Sequence, residues 1–408
     1  MIKKQEKTKW FSLASIWFGG IVSVPALLIG SMLISSLQFS SSVIAGFLGF
    51  TVVVVLMSII SISAVEKQQN AVSLAASSFG NKGAAIIVGL VLGLSTLGWF
   101  AIQSNIAGAS FSKILSNTFQ LNIPAWLSSA FWGLVMIFTA VFGFKILKLL
   151  NYIAVPAIVL LIAYALYTVF QTHNFEEILN YRPKTEMPLL QAVGLAIGFI
   201  SVGVVISPDY NRFAATKKDA ILGSFFGILP ASLFLLITGA LLAITQGTYD
   251  IVEIFAKLGF AFFAMTILIL ATWTSNVMNI YSSGLAFNTM FNFSENFRPK
   301  ITLIVGLAGI ALACMGLINY FTNFIKLLTL TVSPIAGILV ADYFCKKQNF
   351  TETAIHYNWK GITAWCIGVI TMLLIKSSIK YILGILIALL AHYLLSKAKA
   401  PITKSTKG

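Results

Sequence analysis

The polar stretch Ala271–Leu285, ATWTSNVMNIYSSGL, interrupts an otherwise apolar segment and carries side chains suited to binding an ion or a polar ligand. Thr274 and Ser275 are adjacent hydroxyls, and Asn276 and Asn279 lie three residues apart, so their amides share a neighbouring face of a helix. Hard cations take oxygen ligands, and hydroxyl and carbonyl oxygens suit sodium. The alternative is hydrogen bonding between packed helices, which Thr, Ser and Asn often provide in membrane bundles. The density of polar groups favours a functional site.

A second stretch, LGWFAIQSN at Leu97–Asn105, places an aromatic ring and an amide one helical turn apart. Trp99 and Gln103 are four residues apart and therefore share a face of the predicted helix. An indole offers an apolar face for stacking, and an amide both donates and accepts hydrogen bonds, so the pair suits recognition of a flat polar ring. The alternative interpretation is a Trp packed in the core beside a Gln that bonds to another helix. The surrounding helices must decide between these two interpretations.

Two helices contain the same helix-weakening spacing, Gly-x-x-x-x-Pro, in GIVSVP at Gly20–Pro25 and in GVVISP at Gly203–Pro208. Gly lowers helix stability and Pro removes a backbone donor, so the spacing predicts a break in each helix. The two helices lie five spans apart, and an odd separation makes them run in opposite directions. Paired interruptions of this kind indicate an inverted-repeat transporter with its site at the breaks. Phe199, Ser201 and Gly203 lie at the second break and are candidate site residues.

Composition excludes a water-soluble protein. Apolar residues make up 58% of the 408 residues, charged residues make up 10%, and the mean hydropathy is +0.92. Soluble domains carry roughly 25% charged residues. Apolar runs long enough to cross a hydrocarbon core of about 30 Å recur along the chain. Basic residues on the cytoplasmic side of a membrane explain the net charge of +15, so we predict a polytopic helical membrane protein with no nucleic-acid partner.

Twelve spans are predicted, and the basic residues orient them. With the N-terminus inside, 20 of the 27 Lys and Arg residues fall on the cytoplasmic side, which predicts cytoplasmic termini in the cell (inner) membrane. The predicted spans are 13–35, 43–64, 84–106, 126–147, 152–171, 189–207, 219–245, 258–286, 301–317, 323–342, 361–376 and 379–396.

Ionisable side chains give no support to an enzyme, and no catalytic residue is predicted. All twelve carboxylates fall in predicted tails, loops or helix ends, His392 stands alone in the last span, and the sequence has neither a zinc motif nor a phosphate loop. Charges inside a membrane usually mark ion and proton pathways. Their absence from the middle of the predicted spans favours a neutral substrate and a coupling ion held by neutral oxygens.

Six motifs together resemble the nucleobase:cation symporter-1 family. They keep the family order and cover most of the chain. The motifs are SFGNKG at 78–83, LGWF at 97–100, FISVG at 199–203, DYNRFA at 209–214, WTSNVMNIYSSGL at 273–285 and PIAGILVADYF at 334–344. The resemblance implies the leucine-transporter fold, in which five plus five inverted helices precede two more. It also implies secondary transport of a nucleobase or related ring with sodium or a proton.

The resemblance implies substrate contacts for named residues. In the family, aromatic side chains in spans 3 and 6 sandwich the flat ring, and these positions match Trp99 and Phe199. A Gln four residues after the span 3 Trp occurs in the hydantoin-type branch and matches Gln103. The span 8 amides match Asn276 and Asn279, which with the span 6 backbone would read the edge of the ring.

The resemblance also implies a sodium site between spans 1 and 8. Its family ligands are two backbone carbonyls in span 1, and one carbonyl and two hydroxyls in span 8. The matching positions are the carbonyls of Gly19, Val22 and Ala271 and the hydroxyls of Thr274 and Ser275. Because both hydroxyls are kept, the resemblance implies sodium coupling.

The expected organisation is a basic tail at 1–12, inverted repeats at 13–171 and 189–342, two further spans within 361–396 and a tail at 397–408. The expected function is import of a neutral, cytosine-like nucleobase or a related heterocycle by sodium symport with alternating access. Alternatives are a carrier of hydroxymethylpyrimidine or another thiamine precursor, of allantoin or of hydantoin, a proton as coupling ion, and a membrane sensor that binds such a ring without net flux. Besides the ring, sodium and the lipid bilayer, we expect no cofactor and no obligate protein partner.

Overall fold

The structure is a computed structural model that describes residues 7–142, 144–257, 261–345 and 356–397. The described residues form sixteen α-helices and two short 3₁₀ helices. The α-helices are α1 (Trp10–Ile21), α2 (Val24–Ile34), α3 (Phe39–Lys67), α4 (Ala71–Phe79), α5 (Asn81–Phe119), α6 (Ala125–Phe142), α7 (Phe144–Thr172), α8 (Phe175–Leu179), α9 (Leu189–Asn211), α10 (Lys217–Gln246), α11 (Ile251–Lys257), α12 (Ala261–Met290), α13 (Arg298–Cys314), α14 (Phe321–Cys345), α15 (Trp359–Leu374) and α16 (Lys380–Lys397).

Apolar helices long enough to cross a membrane dominate the fold. Within the described ranges seven qualify, namely α3, α5, α9, α10, α12, α16 and α14 with the 3₁₀ turn before it, and the bent pair of α1 and α2 makes an eighth. Shorter apolar helices lie in α6, α7 and α15. The chain is an all-α polytopic membrane protein, as predicted. The count of twelve spans and the repeat boundaries stay predictions, and the predicted tails at 1–6 and 398–408 lie outside the described residues.

The predicted break in the first span is confirmed. The axes of α1 and α2 meet at 62°. Pro25 lies in the first turn of α2, where a missing N–H costs no helical hydrogen bond, and Ser23 before it is extended (φ −148°, ψ 160°). The amide of Val22 donates to the Phe18 carbonyl oxygen at 2.9 Å and closes the last turn of α1. The final carbonyl groups of α1 are therefore left at the break, where a helix has no partners for them.

The predicted break in span 6 is wrong. α9 runs unbroken over Leu189–Asn211 and includes both Gly203 and Pro208. Pro208 has no N–H for the Val204 carbonyl four residues earlier, but the Ser207 hydroxyl donates to that carbonyl oxygen at 2.9 Å. Pro208 also lies near the end of the helix, where few turns follow it. The free backbone groups expected inside this span are therefore paired within the helix.

Two groups of helices are defined by their packing. The α1 bundle consists of α1, α2, α3, α9 and α10, and the α5 bundle consists of α5, α6, α12 and α13. In the α1 bundle, a Cβ at Gly227 of α10 would lie 2.6 Å from the Trp17 Cβ of α1, so only glycine permits this crossing. In the α5 bundle, the Ser283 hydroxyl of α12 donates to the Gly93 carbonyl oxygen of α5 at 2.8 Å. Each bundle is thus held by contacts of its own.

A buried amide links four helices of the α1 bundle. Asn211, at the end of α9, is fully buried, and its Oδ1 accepts from Trp17 Nε1 of α1 at 3.0 Å. Its Nδ2 donates to Ser61 Oγ of α3 at 2.6 Å and to Ser224 Oγ of α10 at 3.0 Å. Because both ends of the amide are paired, Asn211 fixes α1, α3, α9 and α10 relative to one another.

A buried acid joins α14 to α4 and α16. Asp342 of α14 is 3% exposed, and its Oδ2 accepts from the Ser77 hydroxyl of α4 at 2.5 Å. His392 Nε2 of α16 lies 3.5 Å from Asp342 Oδ1, and His392 is 1% exposed. The sequence places His392 alone in the last span, and the fold brings Asp342, fifty residues earlier and on another helix, against its ring.

Candidate functional site

Trp99 and Phe199 meet where the two bundles face each other. Trp99 projects from α5 and Phe199 from α9, and their ring centroids lie 5.5 Å apart with the planes at 86°. Both residues are 9% exposed. The structure therefore brings the predicted aromatic pair together, in edge-to-face contact, which is a favourable arrangement of two rings. A flat ligand between them needs the two rings to separate.

Two phenylalanines that the sequence analysis missed also cover Trp99. Phe324 of α14 packs on the indole at 5.2 Å and 86°, and Phe321 at 5.9 Å and 66°. The Phe324 ring is seated against Gly98, where any side chain would collide with it. Phe321 and Phe324 are three residues apart in the sequence, a spacing that places both rings on one face of a helix. Phe321 precedes the predicted span at 323–342, however, and nothing in the local sequence connects this pair to Trp99.

Gln103 lies one turn beyond Trp99 and is 3% exposed. Its Oε1 accepts a hydrogen bond from Ser275 Oγ of α12 at 2.5 Å. Among the described residues, none accepts a hydrogen bond from the amide nitrogen of Gln103. The Gln103 amide nitrogen is thus a donor that a ligand acceptor could pair.

The two predicted amides of α12 differ in their surroundings. Asn276 is fully buried, and its Nδ2 lies 3.0 Å from the Phe100 carbonyl oxygen and 3.1 Å from Ser104 Oγ, both on α5. Its Oδ1 accepts from Asn279 Nδ2 at 3.3 Å. The Asn276 amide is therefore occupied by protein groups in this conformation, whereas Asn279 is half-buried.

Three oxygens converge on one turn of α12. Thr274 Oγ1 and Ser275 Oγ each lie 3.0 Å from the carbonyl oxygen of Ala271. Gly19 is exposed and Val22 is buried at the end of α1, beside the break, and no hydrogen bond joins α1 to these oxygens in the described part of the chain. These three oxygens are uncharged, so a cation at this turn would meet neutral oxygen ligands. Within the described part, no group of three His, Cys, Asp or Glu could hold a metal ion.

The remaining two predicted residues lie on the unbroken α9. Ser201 is 2% exposed, and its hydroxyl donates to the Gly198 carbonyl oxygen at 2.8 Å. A Cβ at Gly203 would lie 3.8 Å from the Trp17 ring. Ser201 is thus paired within its own helix, and Gly203 faces α1.

A cavity of about 410 Å³ opens at the end of the molecule opposite to the N-terminus of α1. Its lining comes from α2, α5, α11 and the segments before α11 and α14, and includes Ser31, Asn105, Tyr249, Asp250 and Phe321. Because Phe321 also contacts Trp99, this ring separates the cavity from the aromatic pair. Phe321 therefore touches both the cavity and the aromatic pair.

Comparison with known proteins finds relatives among solute permeases. A family model described as a permease for cytosine/purines, uracil, thiamine and allantoin matches residues 2–395. The cytosine permease of Escherichia coli (strain K12) is 28% identical over 302 residues, which cover 72% of this chain and 69% of the relative. The hydantoin permease of Microbacterium maritypicum is 25% identical over 418 residues, which cover 94% of this chain and 84% of the relative.

Two solved structures of one transporter, Mhp1, share the fold. The inward-facing conformation matches with a TM-score of 0.84 at 20% identity, covering 97% of this chain and 93% of Mhp1. The structure of Mhp1 as a nucleobase-cation-symport-1 family transporter, closed with bromovinylhydantoin bound, matches with a TM-score of 0.78 at 20% identity, covering 96% and 92%. At 20% identity, these likenesses show the fold alone. The proposed roles of individual residues depend on their geometry in this structure.

Proposed function

The chain belongs to the family of permeases for cytosine/purines, uracil, thiamine and allantoin, and from this premise we propose that it imports a neutral, cytosine-like nucleobase or a related heterocycle by sodium symport. It is a transporter and not an enzyme. The observation that carries the substrate class is the Trp99–Phe199 ring pair beside a buried Gln103 whose amide nitrogen has no described acceptor. Flat apolar faces and an edge-reading amide together match a heteroaromatic ring.

Binding of the ring requires the aromatic pair to open. Two stacked contacts of about 3.5 Å each place the faces of Trp99 and Phe199 roughly 7 Å apart around a flat ligand. The present centroid distance is 5.5 Å with perpendicular planes. Because Trp99 belongs to the α5 bundle and Phe199 to the α1 bundle, a small rotation between the bundles opens the pair. Such rocking around a fixed site is the usual form of alternating access in inverted-repeat transporters.

Sodium is the proposed coupling ion, and a proton is the alternative. Ala271 O, Thr274 Oγ1 and Ser275 Oγ supply neutral oxygens on one turn of α12, and the carbonyls of Gly19 and Val22 lie at the break between α1 and α2. Uncharged oxygens suit a hard monovalent cation. Approach of the end of α1 to this turn would complete the site. If sodium binds the outward-open form more tightly than the other conformations, it favours ring binding to that form. By linkage, the ring then raises the affinity for sodium by the same factor.

The proposed location is the cell (inner) membrane with both termini in the cytoplasm. The support is the distribution of Lys and Arg, 20 of which lie on one side of the predicted spans. In this orientation the cavity beside Phe321 faces outside, and the end of the molecule that carries the N-terminus of α1 faces the cytoplasm.

Uptake into proteoliposomes tests the proposal. Radiolabelled cytosine, uracil, allantoin, hydantoin and hydroxymethylpyrimidine are supplied with an inward sodium gradient, with a proton gradient or with neither. We expect one ring to accumulate only with the sodium gradient. Uptake that depends on the proton gradient and not on sodium would make the proton the coupling ion. If no ring binds or enters, the proposed substrate class is wrong.

Hydantoin or allantoin is the second candidate for the substrate. The hydantoin permease covers 94% of this chain, more than the 72% of the cytosine permease, and Gln103 follows Trp99 by one turn as in the hydantoin-type pattern. The rank order of affinities in the same ring panel separates the two candidates.

A further inference from the structure

We propose that the hydrogen bond between Ser275 and Gln103 couples the cation to the ring and sets the polarity of ring recognition. The proposal rests on the proposed function, since it concerns how the two parts of that site communicate. In this arrangement Ser275 Oγ is both the cation ligand and the hydrogen-bond donor to Gln103 Oε1. Gln103 in turn presents its amide nitrogen, so the ring must present an acceptor, a carbonyl oxygen or an unprotonated ring nitrogen, to that side.

The first step concerns the single proton of the Ser275 hydroxyl. Three oxygens lie within reach of it: Gln103 Oε1 at 2.5 Å, Ala271 O at 3.0 Å and Thr272 O at 3.3 Å. Donation to the nearest, Gln103, leaves the lone pairs of Ser275 Oγ available to a cation and leaves Thr274 as the one hydroxyl that donates to the Ala271 carbonyl. Donation to Ala271 instead would occupy an oxygen that a cation needs. Gln103 therefore orients the hydroxyl for cation binding.

Thr274 gives the contrast that makes this specific to Ser275. Its hydroxyl lies 3.0 Å from the same Ala271 carbonyl oxygen and has no partner on α5 among the described residues. The two neighbouring hydroxyls thus share a carbonyl, but only Ser275 reaches the helix that carries Trp99. The connection between the oxygens of α12 and the ring site passes through one side chain pair.

The second step concerns the amide of Gln103. Its oxygen is taken by Ser275, so the group left for a ligand is the N–H₂ donor. Gln103 is 3% exposed as a residue, and among the described residues no group accepts from its amide nitrogen, so an acceptor on the ring would pair this donor. A ring with an N–H toward Gln103 would leave two donors facing each other, whereas a ring with a carbonyl or a bare nitrogen completes the chain of hydrogen bonds.

The third step links the two ends. A cation bound to Ser275 Oγ polarises the O–H bond and strengthens its donation to Gln103 Oε1, because charge-assisted hydrogen bonds are stronger than neutral ones. An amide that accepts a stronger hydrogen bond is also a better N–H donor, since hydrogen bonds in a chain polarise one another. Cation and ring therefore raise each other's affinity through a chain of two side chains, without any need for contact between them.

A double-mutant cycle on sodium binding tests the connection. Sodium affinity of the purified full-length chain, without any ring, is followed by intrinsic Trp fluorescence for Gln103→Leu, Ser275→Ala, Thr274→Ala and the two double variants with Gln103→Leu. We expect Gln103→Leu and Ser275→Ala to be non-additive by at least about threefold in affinity, and Gln103→Leu and Thr274→Ala to be additive. Additivity in both cycles overturns the coupling.

Gln103→Glu and a set of ring analogues test the polarity. A glutamate still accepts from Ser275 but has no amide nitrogen, so we expect sodium binding to be retained and ring affinity to fall by about tenfold or more, as for a lost buried hydrogen bond. In the unsubstituted protein, replacing the recognised ring acceptor by N–H should cause a comparable loss. Preference for the N–H analogue overturns the assigned polarity.

Failure of this inference and failure of the proposed function have different signatures. If a ring binds and sodium raises its affinity but both cycles are additive, the function stands and coupling through Ser275 falls. If neither a ring nor sodium binds to the folded unsubstituted protein, the proposed function itself falls.

Discussion

At the residue scale, Trp99 is the side chain on which the ring site depends most. Its indole contacts Phe199, Phe321 and Phe324 at centroid distances of 5.5, 5.9 and 5.2 Å. These three rings come from α9 and α14, so Trp99 is where both helices touch α5. Trp99 therefore packs α9 and α14 against α5, and under the proposed function it also offers a face to the ring when Phe199 withdraws.

Replacement of Trp99 by alanine should weaken ring binding strongly. Stacking of a base on an aromatic side chain contributes about 1–3 kcal/mol, which corresponds to a loss of affinity of roughly 5- to 150-fold. The measurement is isothermal titration with the transported ring, and Trp99→Phe should retain part of the affinity. Trp126→Ala, at an exposed indole on α6, is the matched control and should bind normally. Equal affinities for Trp99→Ala and Trp126→Ala would remove the stacking role.

Alanine substitutions at Asn276 and Asn279 should have different effects, the first on the stability of the protein and the second on its affinity for the ring. Asn276 is fully buried and bonded to the Phe100 carbonyl and Ser104, so Asn276→Ala leaves buried groups unpaired, with an expected loss of about 1–3 kcal/mol in stability. Asn279 is half-buried and has one hydrogen bond, to Asn276. We expect Asn279→Ala to melt near the unsubstituted protein but to bind the ring less tightly.

Thermal unfolding in detergent, with ring affinity measured on the same samples, checks both parts. The idea of divided roles is wrong if Asn276→Ala melts normally and loses ring binding, or if Asn279→Ala destabilises the protein as much as Asn276→Ala does.

At the element scale, the same Gly-x-x-x-x-Pro spacing has two outcomes. Pro25 begins α2 after a 62° bend, whereas Pro208 lies inside the continuous α9. The difference is local compensation, because the Ser207 hydroxyl pairs the Val204 carbonyl that Pro208 leaves without a donor. Of these two spans, only the first therefore exposes carbonyls at a break, and the proposed cation site would have one unwound helix instead of two.

The hydrogen bonds of the Asn211 amide should hold α1 in position against the other helices of the α1 bundle. It is paired at both ends to Trp17, Ser61 and Ser224. Asn211→Leu removes these partners and leaves the buried Trp17 N–H unpaired, so we expect a loss of about 1–3 kcal/mol in stability. Because Gly19 and Val22 follow Trp17 on the same helix, sodium affinity should fall with it, while ring stacking on Trp99 is retained.

Sodium and ring affinities of Asn211→Leu, measured separately, check this expectation, and Ser224→Ala is the matched control. Ser224→Ala removes one partner only and should show a smaller effect on sodium. A variant Asn211→Leu that binds sodium normally would show that α1 is held in place by packing alone.

At the scale of the whole molecule, the proposed ring site lies between two bundles and takes residues from both. Trp99 and Gln103 come with α5, Ser275 with α12, and Phe199 with α9. The hydrogen bond from Ser275 to Gln103 is internal to the α5 bundle, so the proposed rotation of the α1 bundle would leave it in place. The Trp99–Phe199 contact crosses between the bundles and must change in that rotation.

The orientation of the molecule can be tested with epitope tags. Because 20 of 27 basic residues lie on the predicted inner side, a tag at the N-terminus should be inaccessible to antibody in intact spheroplasts and accessible after permeabilisation. A tag inserted after Gln120, in the connection between α5 and α6, is the matched control and should be accessible in both states. The reverse pattern would invert the proposed topology and the direction in which the cavity faces.

Local features of the chain predicted the class of the protein, most of its helices and the residues of interest. Composition and hydropathy indicated the membrane, and the motifs around Trp99, Phe199 and Ser275 indicated the family. The prediction for span 6 failed because helix breaking by Pro208 depends on a neighbouring hydroxyl and on the position of the helix end. The partner of His392 could not be predicted because Asp342 lies on another helix.

What the sequence by itself determined, then, are properties carried by neighbouring residues: apolar runs, the bend at Pro25, and the shared face of Trp99 and Gln103. Only the tertiary structure decided what these residues meet. Gln103 and Ser275 are 172 positions apart, and their hydrogen bond exists because α5 and α12 pack along each other. The rings of Phe321 and Phe324 cover Trp99 for the same reason. Contacts between distant helices depend on how whole helix faces fit, which no spacing within one helix encodes.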